Sequence, residues 1–193
     1  MGRKIIYLVR HGQTAYAETQ PKDAHGYLTE LGRQQAHLAA KRLAQLPITS
    51  IHHSDLKRAT ETAELIAKQL PHVPLHSTAL LRECIPCVPS RPLAWAANLS
   101  PEKVQENQQR LEYVFAHYFA ATEDREEYDV LVCHGNILRY LICRALQVSP
   151  EAWINADIHN CGISEVLIET DGRTMLISHN DTGHLPYAMR TFL

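Results

Sequence analysis

Two short stretches bring together residue types that bind and transfer phosphate. Leu8-Val9-Arg10-His11-Gly12-Gln13-Thr14 sets an arginine beside a histidine after an apolar run, Ile5 to Val9, bounded by Arg3 and Lys4. Val132-Cys133-His134-Gly135-Asn136 repeats the logic after a second run, Asp129 to Cys133. Both runs read as buried strands. Open α/β sheets bind ligands at the carboxyl ends of their strands. Arg10 would supply a planar fork of donors for phosphate oxygens, and a neutral His11 imidazole could attack phosphorus. Gly12 lets the backbone turn and approach a ligand with no Cβ in the way. His134 has two readings, a buried structural histidine or an anion ligand. Its place at a strand-to-helix junction, with the Gly135 N–H near a helix start, favours the anion site.

Elements able to position these residues follow one another along the chain. Residues 13–28, with Pro21, Lys22, Asp23 and Gly26, form a polar loop expected to border the site. Thr29 caps a helix to about Leu46, with Ala36, Ala39, Ala40 and Leu43 on its buried face. Pro47 stops it, and Ile48 to His52 reads as a second strand. Ser54 or Asp55 caps the next helix, which runs to about Leu70 on a core face of Ala59, Ala63, Ile66 and Leu70. Val73 to His76 is a short third strand. Residues 84–100, with Pro86, Pro89, Pro92 and Trp95, lack a regular apolar period and are expected to overhang the site. Pro101 opens a long helix to about Ala121, with Val104, Leu111, Val114, Phe115 and Tyr118 inward. A charged turn, Glu123 to Tyr128, precedes the strand that ends at His134, and Ile137, Leu138, Leu141, Ile142 and Ala145 face the core from the helix after it. Gly162 to Ile168 and Arg173 to Ser178 make a hairpin around Asp171-Gly172, and Asp181-Thr182-Gly183-His184 is a closing loop. Alternating strands and helices imply right-handed crossovers and a mostly parallel sheet covered on both faces. The hairpin makes one strand antiparallel, so the expected architecture is a three-layer α/β/α sandwich in a single domain, 1–193.

Composition excludes several function classes. The formal net charge of −2 gives no sign of a general nucleic-acid or anionic-membrane binder. Affinity for anions must therefore come from a local cluster of cations. No apolar run approaches bilayer length and the N-terminus has no signal-peptide core, so the expectation is a cytoplasmic protein with no membrane and no nucleic-acid partner, a monomer or small homo-oligomer. The five cysteines, Cys84, Cys87, Cys133, Cys143 and Cys161, are scattered among apolar neighbours and read as reduced and mostly buried. Cys84-Ile-Pro-Cys87 has metal or redox spacing but no matching second pair, and no other cluster has metal spacing. No metal and no cofactor is expected.

Arg10-His11-Gly12-Gln13-Thr14 resembles the signature of the histidine phosphatase superfamily, the group that includes phosphoglycerate mutase. Leu28 to Ala36 resembles its first helix, and Ser54-Asp55-Leu56-Lys57-Arg58-Ala59-Thr60-Glu61-Thr62-Ala63 its second motif, in which Arg58 would bind phosphate. Leu81-Arg82-Glu83 resembles the segment that carries the proton donor, which would make Glu83 that residue. The likeness runs from about Lys4 to Pro186. It is sharpest at Val132 to Gln147, at Asp181-Thr182-Gly183 and at Leu81-Arg82-Glu83, where it points to the mitochondrial Ser/Thr-protein phosphatase branch. That branch has an N-terminal anchor and an assembly motif. Neither is expected in a chain whose first strand starts near Lys4. Many members place Trp-Asn just after the first motif, and the Asn helps to bind phosphate. Here those positions are Tyr16 and Ala17, so Gln13 or a backbone N–H is expected to substitute.

The resemblance implies a two-step, metal-independent route. Arg10, Arg58 and a protonated His134 neutralise the phosphoryl group. His11 stays neutral, helped by the cations, and a backbone carbonyl accepting from one ring N–H leaves the other nitrogen to attack. Glu83 protonates the leaving alkoxide and then deprotonates the water that hydrolyses phosphohistidine. The cations are expected to depress the Glu83 pKa until a phosphate dianion raises it. The implied substrate is phosphoserine or phosphothreonine in proteins or peptides. The alternative is a small phosphomonoester, handled by a metabolite phosphatase or a phosphoglycerate mutase, with Arg91 a candidate cation for it. A non-catalytic phosphate-binding module ranks behind both.

Overall fold

The computed structural model describes residues 2–15, 26–91, 93–122 and 125–192. Lys4–Arg10 forms β1 and Glu127–Cys133 forms β4, parallel neighbours at the centre of a six-stranded sheet. Their register pairs Lys4 with Glu127 and Arg10 with Cys133, so both strands end at the same level. Ser50–Ser54 is β2 and Leu75–Thr78 is β3; Ile163–Ile168 is β5 and Thr174–Asp181 is β6. The spatial order is β3-β2-β4-β1-β5-β6, and β5 alone runs against its neighbours. Gly172 makes the hairpin turn between β5 and β6 at φ 82°.

Alternation along the central strands separates two cores. Ile6, Leu8, Leu131 and Cys133 pack on α3 (Pro101–Tyr118) and α4 (Gly135–Ala145). Tyr7, Val9, Val130 and Val132 pack on α1 (Glu30–Leu43) and α2 (Lys57–Ala67). Helices therefore cover both faces, as the alternating pattern predicts. β1 leads into a helix on one face and its neighbour β4 into a helix on the other. The gap between their carboxyl ends is therefore a topological switch point, where α/β sheets bind ligands.

Local chemistry explains where the helices start, and where some boundaries depart from expectation. The Thr29 hydroxyl accepts from the Gly32 N–H at 3.0 Å and caps α1. The Ser100 hydroxyl accepts from Lys103 N at 3.2 Å ahead of Pro101 and caps α3. α1 ends at Leu43 and α3 at Tyr118, each about one turn early. β2 and β3 start two residues later than their apolar runs suggest, because they pair with β4 and with each other beyond those runs. Neither Ser54 nor Asp55 caps α2. Its N-cap is Leu56, with no side-chain cap hydrogen bond, and Ser54 is the last residue of β2.

Candidate active site

His11 leaves the end of β1 as a buried side chain, 4% exposed. Its Nδ1–H donates to the Gly12 carbonyl at 2.8 Å, and its Nε2 accepts from Arg58 Nε–H at 3.1 Å. The two bonds select one tautomer, with the proton on Nδ1 and the lone pair on Nε2. Burial, then the charge of Arg58 and that of Arg10, push the imidazole down to about 3 against the pull of the Gly12 carbonyl. The ring is thus neutral at any ordinary pH, as nucleophilic attack requires.

The remaining site residues come from four elements. Arg10 closes β1, and its Nη1 donates to the Ile158 carbonyl at 2.6 Å. Its guanidinium lies against Gly135, the first residue of α4. Arg58 stands in the first turn of α2, and Gly26, at φ 86°, passes over it. His134 follows β4 and is fully buried, its ring 5.2 Å from that of His11. Glu83 accepts from Cys84 N at 3.1 Å and from Asn136 N, near the start of α4, at 3.5 Å. Burial raises its pKa, and outweighs these two N–H groups and the charges of Arg58 and Arg10. The expected depression of Glu83 by the cations is therefore reversed: the carboxyl is already disposed to hold a proton in the free protein.

His134 is also corrected. Burial first, then His11, Arg58 and Arg10, hold it well below the ordinary imidazole range, so it is neutral and not a third cation. Its Nε2 lies 2.8 Å from the Ser54 hydroxyl. A Ser54 O–H donated to Nε2 places the ring proton on Nδ1, a buried nitrogen with no hydrogen-bond partner among the described residues. In that state His134 offers an N–H, not a charge, to an anion. Ser54 reads in sequence only as a helix cap; its alternation in β2 gives no hint of this contact.

Gln13 does not join the cluster through its carbonyl end. Its Oε1 accepts from Thr29 Oγ at 2.8 Å, at the cap of α1. Tyr16 and Ala17 lie outside the described residues. The Thr62 hydroxyl, unremarked in the sequence, accepts from Gly12 N at 3.1 Å and donates to the Arg58 carbonyl at 2.7 Å, tying α2 to the turn after β1. Described residues of the 84–100 segment are tied to α3 and to the segment bearing Trp153. Asn107 donates to the Ile85 carbonyl at 3.1 Å and Trp153 to the Cys87 carbonyl at 3.1 Å, while Trp95 packs edge-on to Trp153. Arg91 is exposed on that segment. Burial pushes Cys84 and Cys87 up to about 11, so both thiols stay protonated. Among the described residues no three His, Cys, Asp or Glu side chains are grouped to hold a metal ion, and no helix is long and apolar enough to cross a membrane.

Two arginines, two neutral imidazoles and a carboxyl with a raised pKa thus meet at the switch point. Residues 6–86 and 87–182 match the histidine phosphatase superfamily (branch 1). The chain belongs to that superfamily. A mouse relative, the mitochondrial serine/threonine-protein phosphatase PGAM5, is 40% identical over 94% of this chain, which spans 64% of that protein's length. The solved structure of a phosphoglycerate mutase from Plasmodium falciparum superposes with a TM-score of 0.67 at 29% identity, covering 97% of this chain and 96% of that one. The structure of YhfR from Bacillus stearothermophilus, 20% identical, shares the fold with a TM-score of 0.71 over 94% of this chain and 98% of its own. Within the superfamily fold, the motifs quoted for Arg10, His11, Arg58, Glu83 and His134 converge from separate elements onto one point.

Proposed function

We propose that the chain is a phosphomonoesterase that works through phosphohistidine on His11 and acts on phosphoserine or phosphothreonine in proteins or peptides. The observation that carries this reading is the His11 imidazole, buried, neutral and held with Nε2 outward by the Gly12 carbonyl. Arg58, which meets Nε2 in the free protein, would move its donor to a phosphoryl oxygen as substrate enters, and Arg10 would contribute the second positive charge. The Nδ1–H of His134 and the Gly135 N–H complete the set of donors. Nε2 then attacks phosphorus in line and the bond to the ester oxygen breaks. Glu83 gives that oxygen its proton, then takes one from the water that cleaves phosphohistidine. The serine/threonine-protein phosphatase name of the mouse PGAM5 relative supports the substrate class.

The test is kcat/KM for a phosphothreonine peptide against 3-phosphoglycerate and other small monoesters, with His11→Ala as the blank. A preference for the peptide of about tenfold, equal to about 1.4 kcal/mol in the transition state, is the expected result. Preference for a small metabolite would overturn the substrate class and leave the chemistry intact. A fully active His11→Ala would remove the nucleophile.

A further inference from the structure

Gly12 is the flexible joint beside His11, yet each peptide plane on either side of it is held. In the plane before it, the His11 carbonyl accepts from Asn160 Nδ2 at 3.1 Å and the Gly12 N–H donates to Thr62 at 3.1 Å. In the plane after it, the Gln13 N–H donates to Gln35 Oε1 at 2.8 Å, while the Gly12 carbonyl is the acceptor for His11 Nδ1–H. Gln35 and Asn160 are both fully or almost fully buried, at 0% and 1% exposure. An amide holds such a role only in one of its two flipped orientations: Gln35 must aim its oxygen at Gln13, and Asn160 its NH2 at His11.

One hydroxyl joins the two amides in these orientations. Thr191 Oγ donates to Asn160 Oδ1 at 2.8 Å and accepts from Gln35 Nε2 at 2.9 Å. Gln35 Nε2 also donates to the Met189 carbonyl at 2.6 Å, and Asn160 N donates to the Thr191 carbonyl at 2.8 Å. The turn that carries Asn160 is itself constrained. Cys161 adopts φ 56°, uncommon for a residue with a Cβ, and its N–H donates to the Arg10 carbonyl at 3.0 Å.

We infer that Thr191 is a positioning residue for His11: its hydroxyl locks Gln35 and Asn160 so that the peptide planes around Gly12 keep the imidazole in the Nδ1–H tautomer. The inference rests on the reading of His11 as nucleophile, and extends the site to the segment Met189–Thr191, about 180 residues from it in sequence. Thr191→Val keeps the shape and removes both bonds. The expected result is a kcat about tenfold lower or more, with KM within about twofold of the parent and recovery in Thr191→Ser. The 15N shifts of the His11 ring should pass from one tautomer in the parent and Thr191→Ser to a mixture in Thr191→Val. Unchanged kcat and ring shifts in Thr191→Val would overturn the inference, as would equal losses in the valine and serine variants. If Thr191→Val does not fold, Thr191→Ala is read in the same way, and unfolding of both would make Thr191 a general structural residue and overturn it too. Should His11→Ala prove as active as the parent, the proposed function falls, while the ring shifts still decide the role of Thr191.

Discussion

At the scale of single residues, the site separates charge from proton chemistry. The fixed charges are Arg10 and Arg58, whereas His11 and His134 are neutral and Glu83 is raised, each chiefly by burial. This assigns the limbs of a pH profile. As the proposed nucleophile His11 is neutral above about pH 3, so kcat/KM should show no His11 limb near 6.5. In the proposed mechanism Glu83 must be protonated for the first step, so kcat/KM should fall as pH rises through its elevated pKa. In Glu83→Gln that alkaline limb should vanish, and kcat/KM for an alkyl phosphate should drop by about 10²–10⁴. p-Nitrophenyl phosphate, whose leaving group needs no proton, should lose far less. Equal losses on the two substrates would exclude Glu83 as the donor. Ser54→Ala addresses the other imidazole. Without the hydroxyl, His134 can carry its proton on either nitrogen, and we expect a loss of about tenfold in kcat/KM for about 1 kcal/mol of stability. Thermal melts and kinetics on the same samples check both figures.

At the scale of elements, the site depends on how closely α1 approaches the end of β1. A Cβ on Gly12 would meet the Gly32 carbonyl, and one on Gly32 would meet the Gln13 carbonyl, both closer than 3.0 Å. Backbone meets backbone there, so neither contact can relax by turning a side chain. Gly32→Ala should therefore destabilise by about 3 kcal/mol and move the turn that holds His11, read as a lower Tm with a lower kcat. An alanine variant with parental Tm and kcat would show that α1 can slide. The loop bearing Glu83 is clamped from elsewhere: Arg110 of α3 donates to the Leu80 and Arg82 carbonyls, at 2.5 and 2.9 Å, and Arg82 makes a two-pronged pair with Asp55. These contacts mark the boundary of what sequence could reveal. Apolar period located β1, β4 and the helices α1 to α4, Thr29 and Pro101 marked where two of those helices start, and motif likeness named Arg10, His11, Arg58, Glu83 and His134. Strand starts slipped because register depends on partners far along the chain, as β2 shows in pairing with β4. Ser54, Gln35, Asn160 and Thr191 were illegible for a related reason. Each is an ordinary polar residue whose role comes from partners 22 to 156 positions away, and no local pattern encodes such distances.

At the scale of the whole molecule, a neutral imidazole pair at the switch point is a standing cost against acid. In the unfolded chain His11 and His134 titrate near 6.5. In the folded protein both are depressed, His11 to about 3. Below pH 6.5 the unfolded state takes up protons that the folded state refuses. Stability fully present above that pH is then lost as pH falls toward the folded values, by about 1.4 kcal/mol per pH unit for each histidine. His52, pushed down to about 4 by burial at its place in β2, acts in the same direction. Glu83 opposes them: its raised pKa lets the folded state bind a proton first, which restores some stability as pH falls through that value. His11, His134 and His52 act together against this one carboxyl, so the net slope between pH 6.5 and 5 should be positive with pH. Urea unfolding at intervals across that range measures it. His134→Gln, which removes one titrating group, should flatten the slope by about 1.4 kcal/mol per pH unit. Parallel profiles for parent and variant would mean that His134 titrates alike in both states, and the site would then carry a third charge after all.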